Sequence, residues 1–214
     1  MSATSPRSTR RAQTRQESRR HARDSQRQRE MNARRVRYAI WGVVAVLVLA
    51  AIAFIVIYQQ KTQPGKVIPI QGQEHIDQGA PHVAYNSTPP TSGPHWNIAG
   101  VAPADWGIHD EQIPDEAQVH NLEHGGIMIQ YNCHPNECPE LISSLNEFYN
   151  RYAPTHKLPF FPNSTKIVVA PYYTMPDRIA LTAWGHIDTF GDYNEDRIVK
   201  FVEAYRDKGP EPAP

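Results

Sequence analysis

The pattern of hydrophobic and polar positions begins with one long apolar run near the start of the chain. Ala39–Tyr58 reads AIWGVVAVLVLAAIAFIVIY, twenty residues without a charge. At about 1.5 Å per residue, a helix of this length spans the roughly 30 Å hydrocarbon core of a bilayer. The pattern therefore predicts one transmembrane helix.

Three later segments have the pattern or the boundaries of helices. Apolar residues recur every three or four positions in PELISSLNEFYNRYA and on one face of NEDRIVKFVEAYRDKG, which predicts two amphipathic helices. PDEAQVHNLEH begins with Pro114, carries acidic residues in its first turn and is followed by Gly125. These are the start and stop signals of a third, shorter helix.

Apolar runs between these helices predict the strands, which are GIMIQYN, KIVVAPY and RIALTAWGHIDTF. The order helix, β, α, β, β, α predicts an α+β fold in which a mainly antiparallel sheet is covered by helices on one face. The region from about residue 73 to residue 114 lacks a sustained period and is rich in Pro, Gly, His and Trp. Because its aromatic residues argue against disorder, we expect a long ordered loop before the sheet.

Charge is distributed unevenly along the chain, although the formal net charge is zero. Residues 1–38 contain twelve Arg and no Lys against three acidic residues, and they lack apolar runs, which predicts a disordered basic arm. From Gln59 onward, ten Lys or Arg face nineteen Asp or Glu. Because the basic residues flank only the N-terminal side of the apolar run, the positive-inside rule predicts a cytoplasmic arm and an acidic extracytoplasmic domain.

A cleaved signal peptide is the alternative to a membrane anchor. Its apolar region is about 7–15 residues long and ends in a small-x-small site, whereas YQQKTQPG follows the longer run here. A single-pass signal anchor in the cell membrane is therefore favoured. The predicted regions are a disordered basic cytoplasmic arm over 1–38, a transmembrane helix over 39–58, a linker over 59–72, an extracytoplasmic α+β domain over 73–209 and a tail over 210–214.

The basic arm has two interpretations. Arginine clusters beside a membrane attract anionic lipid head groups, and such clusters also attract nucleic acid through charge alone. The simpler interpretation is that the arm only determines topology. We expect no specific nucleic-acid site, and the pattern identifies no protein partner.

Cys133 and Cys138 are the two cysteines of the chain, in YNCHPNECPEL. Outside the cytoplasm, two cysteines at this separation are readily bridged across one turn, so we expect a structural disulfide. A zinc site that adds His134 is an alternative, but adjacent Cys133 and His134 are poorly placed to chelate one ion. The spacing also differs from the C-x-x-C of thioredoxin-type redox pairs.

Histidine is enriched in the part of the chain that follows the apolar run. Nine of the ten histidines lie there, and six of them fall between His75 and His124. Because neutral imidazole is the commonest transition-metal ligand, this enrichment favours metal binding. In a helix that ends at His124, His120 and His124 lie one turn apart on the same face and can chelate one ion, while Glu123 points partly away.

The same segment has two other interpretations. HNLEH matches the H-x-x-E-H pattern of metallopeptidases, in which two histidines hold zinc and the glutamate activates water, although the helix here ends directly after the second histidine. Alternatively, His120 and His124 only serve the last carbonyl groups of a helix.

Two more histidines are candidate ligands. The turn PPTSGPHW is stiffened by its prolines and presents His95 at a set angle beside Trp96, as a ligand or as part of an ordinary tight turn. His186 in LTAWGHID lies on a strand, where a surface histidine is the simpler interpretation. The predicted metal ligands are His95, His120, His124 and His186.

Four motifs, in this order after one N-terminal anchor, resemble the bacterial and archaeal family called domain of unknown function 3105. They are YNSTPPTSGPHW, VHNLEHGGIMIQYN, CHPNECPEL and LTAWGHID, and the likeness covers about residues 82–205. The resemblance implies a single anchored extracytoplasmic domain whose signature falls here on residues 91–95 and on His120, Asn121, Glu123, His124, Gly125 and Gly126. It implies no established activity.

The leading hypothesis is a membrane-anchored domain that binds a transition metal through clustered histidines. Copper is preferred to zinc because the His-rich, Met-containing composition and the extracytoplasmic location suit it. One alternative is a zinc-dependent hydrolase with Glu123 as its base. Another is a metal-free domain that binds cell-envelope partners through its Trp-rich loop.

Overall fold

The chain separates into two compact units, Met1–Thr62 and Gln63–Pro214. The computed structural model describes residues 23, 27–29, 31–32, 34–55, 63–156 and 165–211. Most of the predicted basic arm lies outside the described residues. The same is true of residues 56–58 of the predicted transmembrane helix, residues 59–62 of the predicted linker and residues 212–214 of the predicted tail.

The first unit contains helix α1 (Arg27–Ile55), which is long and apolar enough to cross a membrane. Its large apolar side chains, among them Leu47, Leu49 and Phe54, are exposed. A signal sequence near an N-terminus can meet the same criteria of length and hydropathy. The helix is therefore a candidate membrane span, as the apolar run predicted.

The second unit has the α+β composition that the sequence predicted, with short strands inside the long loop and regular elements after it. Its elements, in chain order, are β1 (Lys66–Val67), β2 (His75–Ile76), β3 (His95–Trp96), β4 (Gly107–Ile108), α2 (Asp115–Glu123), β5 (Ile127–Tyr131), α3 (Pro139–Tyr152), β6 (Ile167–Pro171), β7 (Ile179–Ala183), β8 (His186–Phe190) and α4 (Glu195–Tyr205).

Within the described residues, six strands form one sheet in the order β1-β8-β7-β5-β6-β4, and β2 and β3 form a separate parallel pair. The sheet is mixed, so the prediction of a mainly antiparallel sheet was wrong. β5 and β6 are parallel because α3 connects them as a crossover helix, and β4 pairs in parallel with the other edge of β6. The order of elements alone did not distinguish this crossover from a hairpin connection.

Helices cover both faces of the sheet rather than one. Ile127 and Ile129 of β5 face a core that α3 and α4 complete, whereas Met128 faces a second core that contains Leu122 of α2. All five residues of β5 are buried, because apolar side chains on both faces need a covering layer. The domain is thus a three-layer sandwich, and α2 with the His- and Trp-rich loop forms one outer layer.

Strand β1 lies inside the segment that was predicted as a linker. Lys66 pairs with Ile187 and Val67 with His186 in an antiparallel ladder, so this part of the segment is built into the sheet edge. The Cys133–Cys138 disulfide links the end of β5 to the start of α3, with the two Cα atoms 6.1 Å apart.

Candidate metal centre

Helix α2 carries two of the site residues in its last turn. It begins after Pro114 and ends at Glu123, as the start and stop signals predicted, and every residue from Ala117 to Glu123 is buried. Gly125 follows with φ +78°, a left-handed conformation that favours glycine and turns the chain into β5. Burial of the final turn places His120 and Glu123 inside the domain.

The turn before β3 positions a third residue, His95. Gly93 has φ +128°, and a Cβ added there would lie 3.0 Å from a ring carbon of Tyr85, so the backbone packs directly against this ring. The hydroxyl group of Tyr85 donates a hydrogen bond to the Pro94 carbonyl at 2.6 Å. These contacts hold His95 in a fully buried position.

His75, which was not among the predicted ligands, joins the site through strand pairing. β2 and β3 are parallel, and their register places His75 directly beside His95. The only sign of His75 in the sequence is the general enrichment in histidine, because a two-residue strand in a polar segment has no recognisable period.

The three rings form a nearly equilateral cluster. Their centroids are 4.8 Å apart for His75 and His95, 5.2 Å for His75 and His120, and 5.1 Å for His95 and His120. One ring nitrogen from each of the three lies within 4.8 Å of the other two. Three imidazoles from three separate elements therefore converge on one point.

Backbone carbonyl groups determine which nitrogen atoms face this point. His95 Nδ1 lies 2.8 Å from the Gly93 carbonyl oxygen and His120 Nδ1 lies 2.5 Å from that of Trp96. Because a carbonyl oxygen only accepts, both Nδ1 atoms carry hydrogen, which leaves Nε2 as the nitrogen of each ring that can bind an ion. Burial lowers the pKa of His120 to about 4, so this ring is neutral at neutral pH.

Glu123 points into the cluster, contrary to the prediction that it points partly away. Its Oε2 atom lies 2.9 Å from His95 Nε2 and 3.3 Å from His75 Nε2. The Glu123 side chain is only 3 % exposed, and its salt-bridge partners within the described residues are these two histidines. The buried carboxylate thus lies beside imidazole nitrogen atoms, without Lys or Arg as salt-bridge partner.

The other two predicted ligands lie outside this group. The His124 ring is 4.6 Å from that of His120, but His124 Nδ1 lies 3.3 Å from the Glu211 carbonyl oxygen. The His186 ring stacks on Tyr205 at 4.1 Å, and its Nδ1 lies 2.9 Å from the Trp184 carbonyl oxygen. Neither histidine belongs to a cluster with metal-ligand spacing in the described part of the chain.

A second group with metal-ligand spacing overlaps the first. It consists of His75, Glu123 and Glu211, and one ligand atom from each lies within 4.8 Å of the others. Glu211 lies in the segment that was predicted as a tail, so the sequence offered no sign of it.

The Trp-rich loop is packed inward. Trp96 is 9 % exposed, and Trp106 is partly buried against the same core that contains Met128 and Leu122. Trp184, which follows β7 and lies outside the loop, packs against this core too. These rings pack in the layer that holds the histidines.

The comparison with protein families agrees with the four motifs. A family model described as "Protein of unknown function (DUF3105)" matches residues 75–214, and the chain therefore belongs to this family. No curated protein and no solved structure matches the chain. The matched range includes the whole candidate centre, from His75 through Glu123 to Glu211.

Proposed function

We propose that this protein is a membrane-anchored extracytoplasmic domain that binds one divalent transition metal ion through His75, His95, His120 and Glu123. The observation on which the proposal rests is that a backbone carbonyl group accepts a hydrogen bond from Nδ1 of His95 and another accepts one from Nδ1 of His120. Histidines that bind metals typically donate their second ring N–H to a carbonyl or carboxylate, which orients the ring and fixes the tautomer.

The spacing of the donor atoms supports the same conclusion. With metal–ligand bonds of about 2.0–2.1 Å, adjacent ligand atoms lie about 2.9 Å apart in an octahedral shell and about 3.4 Å apart in a tetrahedral shell. Glu123 Oε2 lies 2.9 Å and 3.3 Å from the Nε2 atoms of His95 and His75. Small movements of these side chains would complete a coordination shell.

Charge provides a second physical reason. A buried carboxylate is costly unless a cation neutralises it, and Glu123 has only histidines as salt-bridge partners in the described residues. The low pKa of His120 keeps one neighbouring ring neutral. A divalent cation would neutralise Glu123 without the protonation of any imidazole.

The donor set changes the argument for copper. Met128 and Met175, the two methionines of the second unit, are buried in apolar clusters, so these two thioethers do not support the binding of Cu(I). Imidazole and carboxylate suit Cu(II), Zn(II) and Fe(II), and Cu(II) binds tightest to most such sites. We therefore still prefer copper to zinc, now as Cu(II), and we expect the protein to bind Cu(II) more tightly than Zn(II) in a titration.

The location is inferred from the N-terminal unit and from the disulfide. α1 has the length of a membrane span, arginines precede its apolar part, and Cys133–Cys138 suits an oxidising compartment. Together they support a single-pass anchor with the metal-binding domain outside the cytoplasm. We keep the five regions that the sequence predicts, except that β1 of the predicted linker is assigned to the domain.

The hydrolase alternative receives less support. In the H-x-x-E-H pattern, the two histidines that bind zinc would be His120 and His124, but His75 replaces His124 in the observed cluster. Glu123 would also have to be free to activate water, whereas its Oε2 lies beside two ligand nitrogens.

A titration of the full-length protein tests the proposal. The untagged protein is purified in detergent, treated with a chelator and titrated with Cu(II) and Zn(II), beside His95→Ala and a control, His109→Ala, at a histidine outside the cluster. We expect wild type and His109→Ala to bind one equivalent of metal with a dissociation constant below about 1 µM. His95→Ala should bind at least about tenfold more weakly. Equal affinity of all three proteins, or no binding tighter than micromolar, would refute the site.

A further inference from the structure

The chain returns to the candidate metal centre after α4. Residues Arg206–Glu211, here called the C-terminal strap, run across the turn that joins α2 to β5. The Asp207 amide donates to the Gly125 carbonyl at 2.8 Å, and the Glu211 amide donates to the Glu123 carbonyl at 3.1 Å. The strap is thus attached to the residue that bears the buried carboxylate.

Glycine permits this close approach. A Cβ added at Gly209 would lie 2.0 Å from the Glu123 carbonyl oxygen and 2.2 Å from the Gly125 nitrogen, distances that no side chain could accommodate. The start of the strap is held by an ion pair between Asp207 and the buried Lys166. These contacts determine where the end of the strap lies.

That end brings a second carboxylate to the exposed side of the cluster. A Glu211 carboxylate oxygen, a Glu123 oxygen and a His75 nitrogen all lie within 4.8 Å of one another. The His75 side chain is 40 % exposed, so this side is where an ion would enter. Glu211 itself is exposed.

We propose that Glu211 is the outermost ligand of the bound metal and that the C-terminal strap closes the site over it. This inference rests on the metal site proposed above. Imidazole binds a metal in its neutral form, so the two carboxylates would balance the charge of a divalent cation, which favours Cu(II) or Zn(II) over Cu(I). Release of Glu211 opens the site for exchange of the ion.

The same geometry gives His124 a role other than that of a ligand. Its Nδ1 lies 3.3 Å from the Glu211 carbonyl oxygen, which can only accept, so the ring donates to the strap. His124 is therefore a positioning residue for Glu211. In HNLEH, His120 and Glu123 would bind the metal and His124 would hold the strap.

Metal release from the full-length protein tests the closure. Zn(II)-loaded wild type, Glu211→Gln, His124→Ala and the control Glu203→Gln, at an exposed position of α4, are mixed with excess chromophoric chelator. Loss of Glu211 or of its positioning residue should accelerate release by about 10-fold or more, whereas Glu203→Gln should match the wild type. Release from Glu211→Gln within about twofold of wild type would overturn the inference.

Two further measurements separate this inference from the proposed function. Hydrogen exchange at the Glu211 amide should slow when wild type binds Zn(II), and this protection should be absent in Glu211→Gln. One Zn(II) equivalent per chain is expected; two equivalents would indicate separate ions and overturn the shared site. If His95→Ala loses binding while Glu211→Gln behaves as wild type, the three-histidine site stands without the strap. If wild type binds no metal, both proposals fail.

Discussion

His75 and His95 lie directly opposite each other in a parallel pair of two-residue strands, with their ring centroids 4.8 Å apart. The pairing joins a residue near the start of the predicted loop to the rigid turn that ends in His95. Because His120 approaches from α2, neither strand nor helix alone contains the site. Metal binding is thus expected to stabilise the outer layer of the domain, where β2, β3 and α2 meet.

The first prediction concerns His75, which only the folded chain brings to the site. His75→Ala should weaken metal binding at least about tenfold, because removal of a ligand costs no less than removal of an outer hydrogen-bond partner. His82→Ala, in the same loop but outside the cluster, is the control and should bind as wild type does. Calorimetric titration with Zn(II) measures both, and equal affinity for the two variants would remove His75 from the ligand set.

The second prediction separates stability from metal binding at His186. Because the ring stacks on Tyr205 and lies outside the cluster, His186→Ala should leave the affinity for metal unchanged. Loss of the stacked ring should lower the free energy of unfolding by about 0.5–1.5 kcal/mol. Urea unfolding and metal titration of the same sample test both statements. Weaker metal binding with unchanged stability would restore His186 as a ligand.

The third prediction uses a matched pair of glycines. A Cβ at Gly126 would lie 2.6 Å from both the Asn121 carbonyl oxygen and a ring carbon of Trp106, whereas a Cβ at Gly191 would meet nothing within 4 Å. Gly126→Ala should therefore destabilise the domain by about 1–3 kcal/mol through overpacking. It should also weaken metal binding, because the displaced turn carries Glu123.

Gly191→Ala is the control for this pair, and its unfolding free energy should stay within about 0.5 kcal/mol of wild type. Thermal unfolding of the metal-free proteins measures the first effect, and titration with Zn(II) measures the second. Similar stability of the two alanine variants would show that the turn is not tightly packed.

The fourth prediction concerns topology. Alkaline phosphatase is active only outside the cytoplasm, so a fusion after Pro214 should be active and a fusion after Asn32 inactive. The physical reason is the arginine-rich segment that precedes the apolar run. Enzyme activity in intact cells, with fusion protein amounts measured by immunoblot, tests the orientation. The opposite result would contradict the extracytoplasmic location and the oxidising environment expected for Cys133 and Cys138.

Local patterns in the sequence predicted the helices and their ends well. Pro114 and Gly125 bound α2 because their backbone preferences act within one turn, and spacings of three and four residues identify α3 and α4. The direction of the strands was not predictable in this way. A strand buried on both faces has the same apolar sequence in parallel and antiparallel pairs, so its sequence does not reveal its direction. β5 and β6 are parallel because α3 connects them as a crossover helix.

The residues of the candidate site also fall into two groups, those that local sequence patterns predicted and those that they did not. The sequence by itself determined that His120 and Glu123 lie at the end of one helix, and that the turn before His95 is rigid, because these properties depend on neighbouring residues. Only the tertiary structure decided that His75 and Glu211 join them while His186 stacks elsewhere. Pairing of two-residue strands and the docking of a strap through glycine contacts leave no periodic signal, since their energies depend on residues that are distant in the chain.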